Sequence, residues 1–238
     1  MDFPHIQEIF EQQGGRFLTS SAVLEKKMSQ CNALIFDWDG VFHSGTKSHA
    51  GQSTFSEADS MAINMLRFGM YLQTGEMPKT VIITGESNVS AQNFARREHF
   101  DAVFFNAKDK TVALAHLEQN YSVDASKTAF FFDDILDLSL AERVGLRFLM
   151  GRKGNPLFNE YVVQNHLADY ITAQAGGQHG IREAAELSLG LMERFVETTE
   201  KRKDFHEDYA AYWAQRQSQP TKFYRVEGKE ISEVPGEK

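Results

Sequence analysis

The stretch Leu34-Ile35-Phe36-Asp37-Trp38-Asp39-Gly40-Val41-Phe42 decides the fold. An apolar run that breaks on two aspartates and a glycine has the pattern of a buried strand whose last residues enter a loop at the edge of a sheet. If the extended geometry holds as far as Asp39, alternation places Asp37 and Asp39 on one side and Trp38 on the other. Two carboxylates ~4 Å apart, at an effective dielectric of about 20, repel by on the order of 4 kcal/mol. A metal ion, a nearby cation or a proton held by one of them has to compensate. Alone, the stretch also reads as a strand end followed by an Asp-Gly turn.

Outward from this strand the pattern becomes regular. Apolar strand-like runs fall at Ala33–Trp38, Thr80–Thr84, Ala102–Phe105, Thr128–Phe132, Leu146–Met150 and, more weakly, Asp169–Thr172. Helix-like stretches lie between them at Glu57–Leu72, Asn88–Arg97, Asp109–Gln119, Ile135–Arg143 and Pro156–Val163. Strands alternating with helices of ~10 to 15 residues indicate βαβ units, hence an α/β fold with a doubly wound parallel sheet. In such sheets ligands sit outside the carboxyl ends of the strands, where strand order reverses. His43 to Thr54, rich in Gly, Ser and Thr, is too short for a domain and reads as a small hairpin or flap over the first strand. Val41 to Ser56 leaves no room for a large cap domain. Ile181 to Phe195 carries an apolar helical face and reads as a final helix on the sheet.

The expected organisation is an N-terminal helical extension over residues 1–30, a main domain over 31–195, and a charged helical extension with a polar, weakly ordered tail over 196–238. Within that last segment Phe205, Tyr209, Tyr212 and Trp213 recur at helical spacing, read as packing on their own domain rather than on a partner. A net charge of −8 with no basic patch argues against nucleic-acid and anionic-membrane binding. Cys31, the single cysteine, excludes an internal disulfide and a cysteine-based zinc site. No basic-then-apolar leader and no run of ~18 apolar residues is present, so a soluble cytoplasmic protein is expected.

Chemistry-bearing residues gather at the strand ends. After the second strand, Thr84 offers a hydroxyl, Gly85 lets a ligand approach the backbone, and Ser87 or Asn88 can cap the next helix, whose free amides suit an anion. After the third, Lys110 opens a helix where the dipole disfavours a cation, which points to a compensating phosphate or carboxylate. The fourth ends Phe132-Asp133-Asp134-Ile135-Leu136-Asp137. Asp133 is a natural oxygen ligand for a hard cation, and Mg²⁺ binds through one or two carboxylates plus water and phosphate. Asp134 reads as a helix cap or a supporting acid, and Asp137 as a group orienting a neighbour such as Lys110.

The order of these motifs, Asp-x-Asp-Gly, Thr-Gly, lysine and Asp-Asp-x-x-Asp, resembles the haloacid dehalogenase superfamily of phosphotransferases. Within it, the flap followed by Phe55-Ser56-Glu57-Ala58-Asp59, the Asp109-Lys110 pair, the Val144-Gly145-Leu146 turn and Gly176-Gly177-Gln178-His179-Gly180-Ile181-Arg182-Glu183 are similar to the 3-deoxy-D-manno-octulosonate 8-phosphate phosphatase-like branch. The resemblance covers roughly residues 32 to 192. It departs at Phe132 and Asn106, where that branch has glycine, and at Glu86, where it has a basic residue. Phe132 is expected to crowd the metal loop, and Glu86 to remove positive charge from the substrate side.

The resemblance implies a Mg²⁺-dependent phosphomonoester hydrolase acting on a small phosphorylated sugar or sugar acid. Asp37 would attack phosphorus and form an aspartyl-phosphate, and Asp39 would act as general acid and base. Asp37, Asp133 and the main-chain carbonyl of Asp39 would hold the metal. Thr84, Gly85 and Lys110 would bind the phosphoryl group, with Lys110 also stabilising Asp37 and Asp134 and Asp137 in support. It further implies a homo-oligomer, up to a tetramer assembled through flaps. A catalytically impaired binding protein on the same fold and a phosphotransferase are the alternative readings.

Overall fold

The computed structural model describes residues 3–49 and 51–236. Its strands are β1 (Arg16–Phe17), β2 (Ala33–Phe36), β3 (Lys79–Ile83), β4 (Ala102–Phe105), β5 (Thr128–Phe132), β6 (Leu146–Leu149), β7 (Tyr170–Ile171), β8 (Lys222–Glu227) and β9 (Glu230–Val234). They form one sheet in the order β1-β7-β6-β5-β2-β3-β4-β8-β9. Only the two outermost pairings, β1 with β7 and β8 with β9, are antiparallel. The chain runs outward from β2 through β3 to β4, then returns to the far side of β2 as β5. That reversal opens the ligand crevice of a doubly wound sheet between the carboxyl ends of β2 and β5, where Asp37 and Asp133 follow.

The helices are α1 (Phe3–Gln12), α2 (Ser21–Gln30), α3 (Glu57–Thr74), α4 (Val89–Arg97), α5 (Lys110–Asn120), α6 (Leu138–Ala141), α7 (Pro156–Gln164), α8 (Gly180–Leu191), α9 (Phe195–Lys203) and α10 (Glu207–Gln217). Strand alternation distributes the core to two faces. Leu34, Phe36 and Phe131 pack with residues of α2, α3, α4 and α8, while Ala33, Ile35, Phe130 and Phe132 pack with residues of α5, α6 and α7. All four residues of β2 are buried, as a central parallel strand requires.

Phe132 corrects one expectation. Its ring is buried in the second core, stacked on Phe130 at 5.4 Å between centroids, and so does not crowd the acidic loop that follows. Odd and even positions of β5 face opposite ways, and Phe132 falls with Phe130 on the face covered by α5, α6 and α7. The final helix is also divided: α8 ends at Leu191, Glu193 takes a left-handed φ of 57°, and α9 begins at Phe195.

The C-terminal tail is the larger correction. Residues 222–234 are not a weakly ordered tail but the hairpin β8–β9, which extends the sheet in parallel from β4 at Ala102↔Lys222 through Phe105↔Arg225. The aromatic stripe before it is split. Tyr209 and Tyr212 are buried against Phe68 at 5.1 and 5.2 Å, while Phe205 is 54% and Trp213 37% exposed. The N-terminal segment is fastened too, since Lys27 reaches Asp169 at 2.6 Å and Thr19 donates to the same carboxylate at 2.8 Å.

The thiol of Cys31 lies under α2, where burial pushes its pKa up to about 12. We therefore expect no reaction with Ellman's reagent at pH 8 in the native protein and one thiol titrated per chain after unfolding. Prompt native labelling would contradict this packing.

Candidate active site

β2 stops at Phe36, and the Asp37 amide still donates to the Phe131 carbonyl at 2.9 Å. The carboxylate of Asp37 is therefore held at the mouth of the β2–β5 crevice. Its partner is Lys110, whose ammonium lies 2.5 Å from Asp37 Oδ1 and 2.5 Å from Asp137 Oδ1. Lys110 is the first residue of α5, delivered there by Asp109, whose side chain caps the helix by accepting the Thr111 amide. Just upstream, Asn106 adopts φ 59°, a left-handed conformation that asparagine tolerates better than most residues, which explains its use where glycine was expected.

Asp133 leaves β5 beside them. The side-chain oxygens of Asp37, Asp133 and Asp137 all come within 4.8 Å of one another, and all three residues are buried. Asp137 Oδ2 also accepts the amides of Asp133 and Asp134 at 3.3 and 3.2 Å, and Asp134 caps the short 3-10 turn Ile135–Asp137. Asp134 is thus a cap, while Asp137 joins the acid cluster as a further oxygen donor that the sequence reading had placed only in support. The side chain of Asp39 is not part of this trio.

Asp39 has its own partners. His43 Nε2 lies 2.9 Å from Oδ1, Lys47 Nζ 2.7 Å from Oδ2, and Asn88 Nδ2 3.4 Å from Oδ1. His43 Nδ1 accepts the Gly45 amide at 3.2 Å, which assigns the ring proton to Nε2 and makes it the donor to Asp39. The paired carboxylates of the opening stretch are therefore neutralised separately, Asp37 from α5 and Asp39 from the flap. His43, Lys47 and Asn88 were not singled out by sequence as partners of Asp39. The four-residue spacing from Asp39 to His43 was the one available signal.

The flap follows as irregular chain, with no strand among its described residues. Trp38, fully buried opposite the acids, donates from Nε1 to Ser53 Oγ at 2.9 Å, and the Ser53 amide donates to Ser90 Oγ at 3.1 Å. A cavity of about 600 Å³ lies beneath this flap, lined by hydroxyls of Ser44, Thr46, Ser53 and Ser56 beside Phe42 and Phe55.

Thr84 and Gly85, the residues expected to face a phosphate, follow the end of β3. Thr84 is buried, and its hydroxyl has no hydrogen-bond partner among the described residues. A Cβ at Gly85 would meet nothing nearer than Leu136 Cδ1 at 3.8 Å. The fold thus leaves that backbone open to a ligand. Glu86 is exposed and ion-paired with Lys108, so its charge is locally balanced.

Arg152, at the end of β6, was not anticipated. Its Nη2 lies 2.7 Å from Asp133 Oδ2. Gly40, at φ 86°, is what permits the approach, since a Cβ there would sit 2.0 Å from Asp133 Oδ2 and 2.6 Å from Arg152 Nη2.

The electrostatics suit a hard cation. Burial, then repulsion from Asp37 and Asp137, pushes the Asp133 carboxyl up to about 8. Burial also raises Asp37, against the pull of Lys110. Lys110 is held above the ordinary lysine value because Asp137 and Asp37 outweigh its burial. For Asp39 burial opposes ionisation, but hydrogen bonds from His43 and Lys47 prevail and lower its pKa. Buried carboxylates that repel one another, with one lysine and one arginine between them, form a donor set for a divalent ion such as Mg²⁺. A carboxyl raised on folding binds more protons folded than unfolded, so its contribution to stability falls as pH rises from about 4 to about 8. Millimolar Mg²⁺ is accordingly expected to raise the melting temperature more at pH 8 than at pH 5, and EDTA to reverse the gain. An equal or absent shift at the two pH values would remove the metal from this cluster.

No family model matches the chain. The 3-deoxy-D-manno-octulosonate 8-phosphate phosphatase KdsC of Escherichia coli is 24% identical over 169 residues, covering 71% of this chain and 85% of that one. A putative haloacid dehalogenase superfamily (subfamily III A) hydrolase from Legionella pneumophila superposes with a TM-score of 0.64 at 23% identity, covering 76% and 94%. The chain has the fold of these haloacid dehalogenase superfamily proteins. The 3-deoxy-D-manno-octulosonate 8-phosphate phosphatase of Moraxella catarrhalis, whose structure holds a magnesium ion, a phosphate ion and the sugar acid, matches with a TM-score of 0.62 at 22% identity, covering 75% and 97%. This chain differs from those proteins in length, since about a quarter of it lies outside each alignment.

Proposed function

We infer that this chain is a Mg²⁺-dependent phosphomonoesterase, acting through a phosphoryl group carried on Asp37, with a small phosphorylated sugar or sugar acid as substrate. The observation that carries the reading is Lys110 set between Asp37 and Asp137, and with it goes the buried Thr84 hydroxyl at the end of β3, which has no hydrogen-bond partner among the described residues. That arrangement offers a positioned nucleophile, a cation for the transferring group and a donor for a phosphate oxygen.

In this reading the substrate phosphate enters at the β2–β5 crevice, where Thr84 and the Gly85 amide take two of its oxygens. Asp37 attacks phosphorus, and Lys110 balances charge on the equatorial oxygens. Asp37, Asp133 and the Asp39 carbonyl, with Asp137 as a further donor, would hold Mg²⁺, which supplies charge neutralisation at the transferring phosphoryl group. Asp39 gives a proton to the departing alcohol and then takes one from the attacking water.

In the resting protein Asp39 is arranged as a base, because His43 and Lys47 both favour its ionised form. Its acid role requires Lys47 to release Oδ2 when the phosphoryl group arrives. The flap that carries Lys47 is tied down at Ser53 and, apart from the single bridge of His43 to Asp39, has no strand pairing among its described residues, which is compatible with such a movement. The cavity beneath it, lined with hydroxyls and two phenyl rings, fits the hydroxylated face and apolar face of a sugar.

Superfamily relatives named for 3-deoxy-D-manno-octulosonate 8-phosphate hydrolysis support the substrate class. Self-association into a homo-oligomer and a cytoplasmic location belong to the same proposal. Purified protein with Mg²⁺ should release phosphate from members of a panel of sugar phosphates, sugar acid phosphates and nucleotides. Absence of turnover across the panel and with p-nitrophenyl phosphate would favour a binding protein instead.

A further inference from the structure

A second cavity, of about 520 Å³, opens between the ends of β6 and β7 and the N-terminal extension. Arg16, Arg152 and Lys153 line it together with Asn159, Thr172 and Gln178, and no acidic side chain does. In a chain of net charge −8 this is a concentration of three cations, two of them unbalanced. Most lysines and arginines here are ion-paired, but neither Arg16 nor Lys153 has an acidic partner among the described residues, and both are exposed. Arg152 alone is committed, through Nη2, to Asp133.

Two features join this cavity to the acid cluster. The Arg152 guanidinium lies against the Asp39-Gly40 loop and the Asp133 carboxylate, and Ser44 lines both this cavity and the one beneath the flap. The loop Gly176-Gly177 closes the gap between them. A Cβ on Gly176 would lie 1.8 Å from the Gly40 carbonyl oxygen, and one on Gly177 would lie 2.7 Å from the Ser44 amide. A molecule whose phosphate sits at Asp37 thus has an adjoining cationic recess on the same side of the strand ends.

We propose that this recess binds a second phosphate group of the substrate, so that the protein acts on sugar bisphosphates. The charge count selects the ligand. With Arg152 balanced against Asp133, Arg16 and Lys153 leave two positive charges, which match a phosphate dianion, whereas a single carboxylate leaves one uncompensated. Arginine's planar fork also suits phosphate oxygens. In the reaction the ester P–O bond at Asp37 breaks, the alcohol oxygen takes the proton from Asp39, and water supplies the oxygen that releases inorganic phosphate. The phosphate held by Arg16 and Lys153 is unchanged and serves as an anchor. Arg16 stands in β1, so the N-terminal extension contributes to this recess.

The proposal rests on phosphoester binding at Asp37 but is tested by affinity rather than turnover. Full-length protein carrying Asp37→Asn, with Mg²⁺, is titrated calorimetrically with fructose 1,6-bisphosphate, fructose 6-phosphate and 6-phosphogluconate. The bisphosphate is expected to bind at least tenfold more tightly than either of the others. Adding Arg16→Gln and Lys153→Gln, both at exposed positions, should bring the three to within about twofold while leaving the melting temperature in place. Equal affinities in the parent, or a preference that survives the double change, overturn the second-phosphate site. Binding of 6-phosphogluconate as tight as that of the bisphosphate also overturns it, in favour of a carboxylate. Release of phosphate from p-nitrophenyl phosphate by the unsubstituted chain reports separately on the phosphatase reading.

Discussion

Replacing Asp37 by asparagine should abolish Mg²⁺-dependent release of phosphate from p-nitrophenyl phosphate, by at least about a thousandfold in kcat, because the proposed nucleophile is removed. The substitution is nearly isosteric, and the site explains why the fold should survive it. Asp37 is one of three buried carboxylates that repel one another, and Lys110 retains Asp137 at 2.5 Å when Asp37 becomes neutral. Removing one charge relieves Asp133, so without added Mg²⁺ the variant should melt at or above the parent temperature at pH 8. Loss of activity with unchanged or improved stability separates a chemical role from a structural one. Asp39→Asn should lose roughly 10²–10⁴-fold, the usual worth of a positioned acid–base group, while phosphate could still transfer to Asp37. Mass spectrometry of that variant after brief exposure to substrate should then detect a phosphorylated chain. Full activity in Asp37→Asn would end the nucleophile assignment outright.

The central sheet and the acid cluster were legible because their signals are local. β2 and β5 are apolar runs that end on carboxylates, and their alternation with amphipathic helices fixes a parallel sheet whose strand ends converge. The partners of Asp39 were hidden because a flap of Gly, Ser and Thr has no periodicity from which His43 and Lys47 could be placed. Arg152 was hidden for a different reason, since its role depends on the pairing of β6 beside β5, a non-local fact. The C-terminal hairpin did leave a trace. Phe223, Tyr224 and Val226 are buried between exposed Lys222, Arg225 and Glu227, and Gly228 at φ 62° turns the chain within a two-residue loop. Glu227-Gly228-Lys229-Glu230 between alternating strands is a hairpin signal. The surrounding charge masked it.

Substituting Arg216 by alanine should cost about 3–5 kcal/mol, the usual consequence of removing one partner of a buried ion pair, because Arg97 holds only one oxygen of Glu98 and the other loses its charged partner. Glu98, at the end of α4, is 7% exposed and accepts from Ser60 at 2.9 Å and Arg97 at 2.8 Å, while Arg216 from α10 pairs with its other oxygen. Beside it, buried Arg67 donates to the Glu98 carbonyl at 2.7 Å and the His99 carbonyl at 3.1 Å. The C-terminal extension is thus wired into the main domain through charges that have no access to water. In a domain of this size each kcal/mol shifts the melting temperature by roughly 2–4 °C, so a fall of about 6–20 °C is expected in calorimetry. Combining Arg216→Ala with Glu98→Gln should recover part of that loss, because the oxygen that faced Arg216 then carries no unpaired charge. A melting point within about 2 °C of the parent for the single variant would show that the pair does not hold the extension. The consequence reaches the site through one helix. The residue that caps α4 is Asn88, whose Oδ1 accepts the Ser90 and Ala91 amides and whose Nδ2 faces Asp39. The far end of that helix is fixed by Glu98, so α10 and the hairpin after it help hold in place an element on which Asp39 rests.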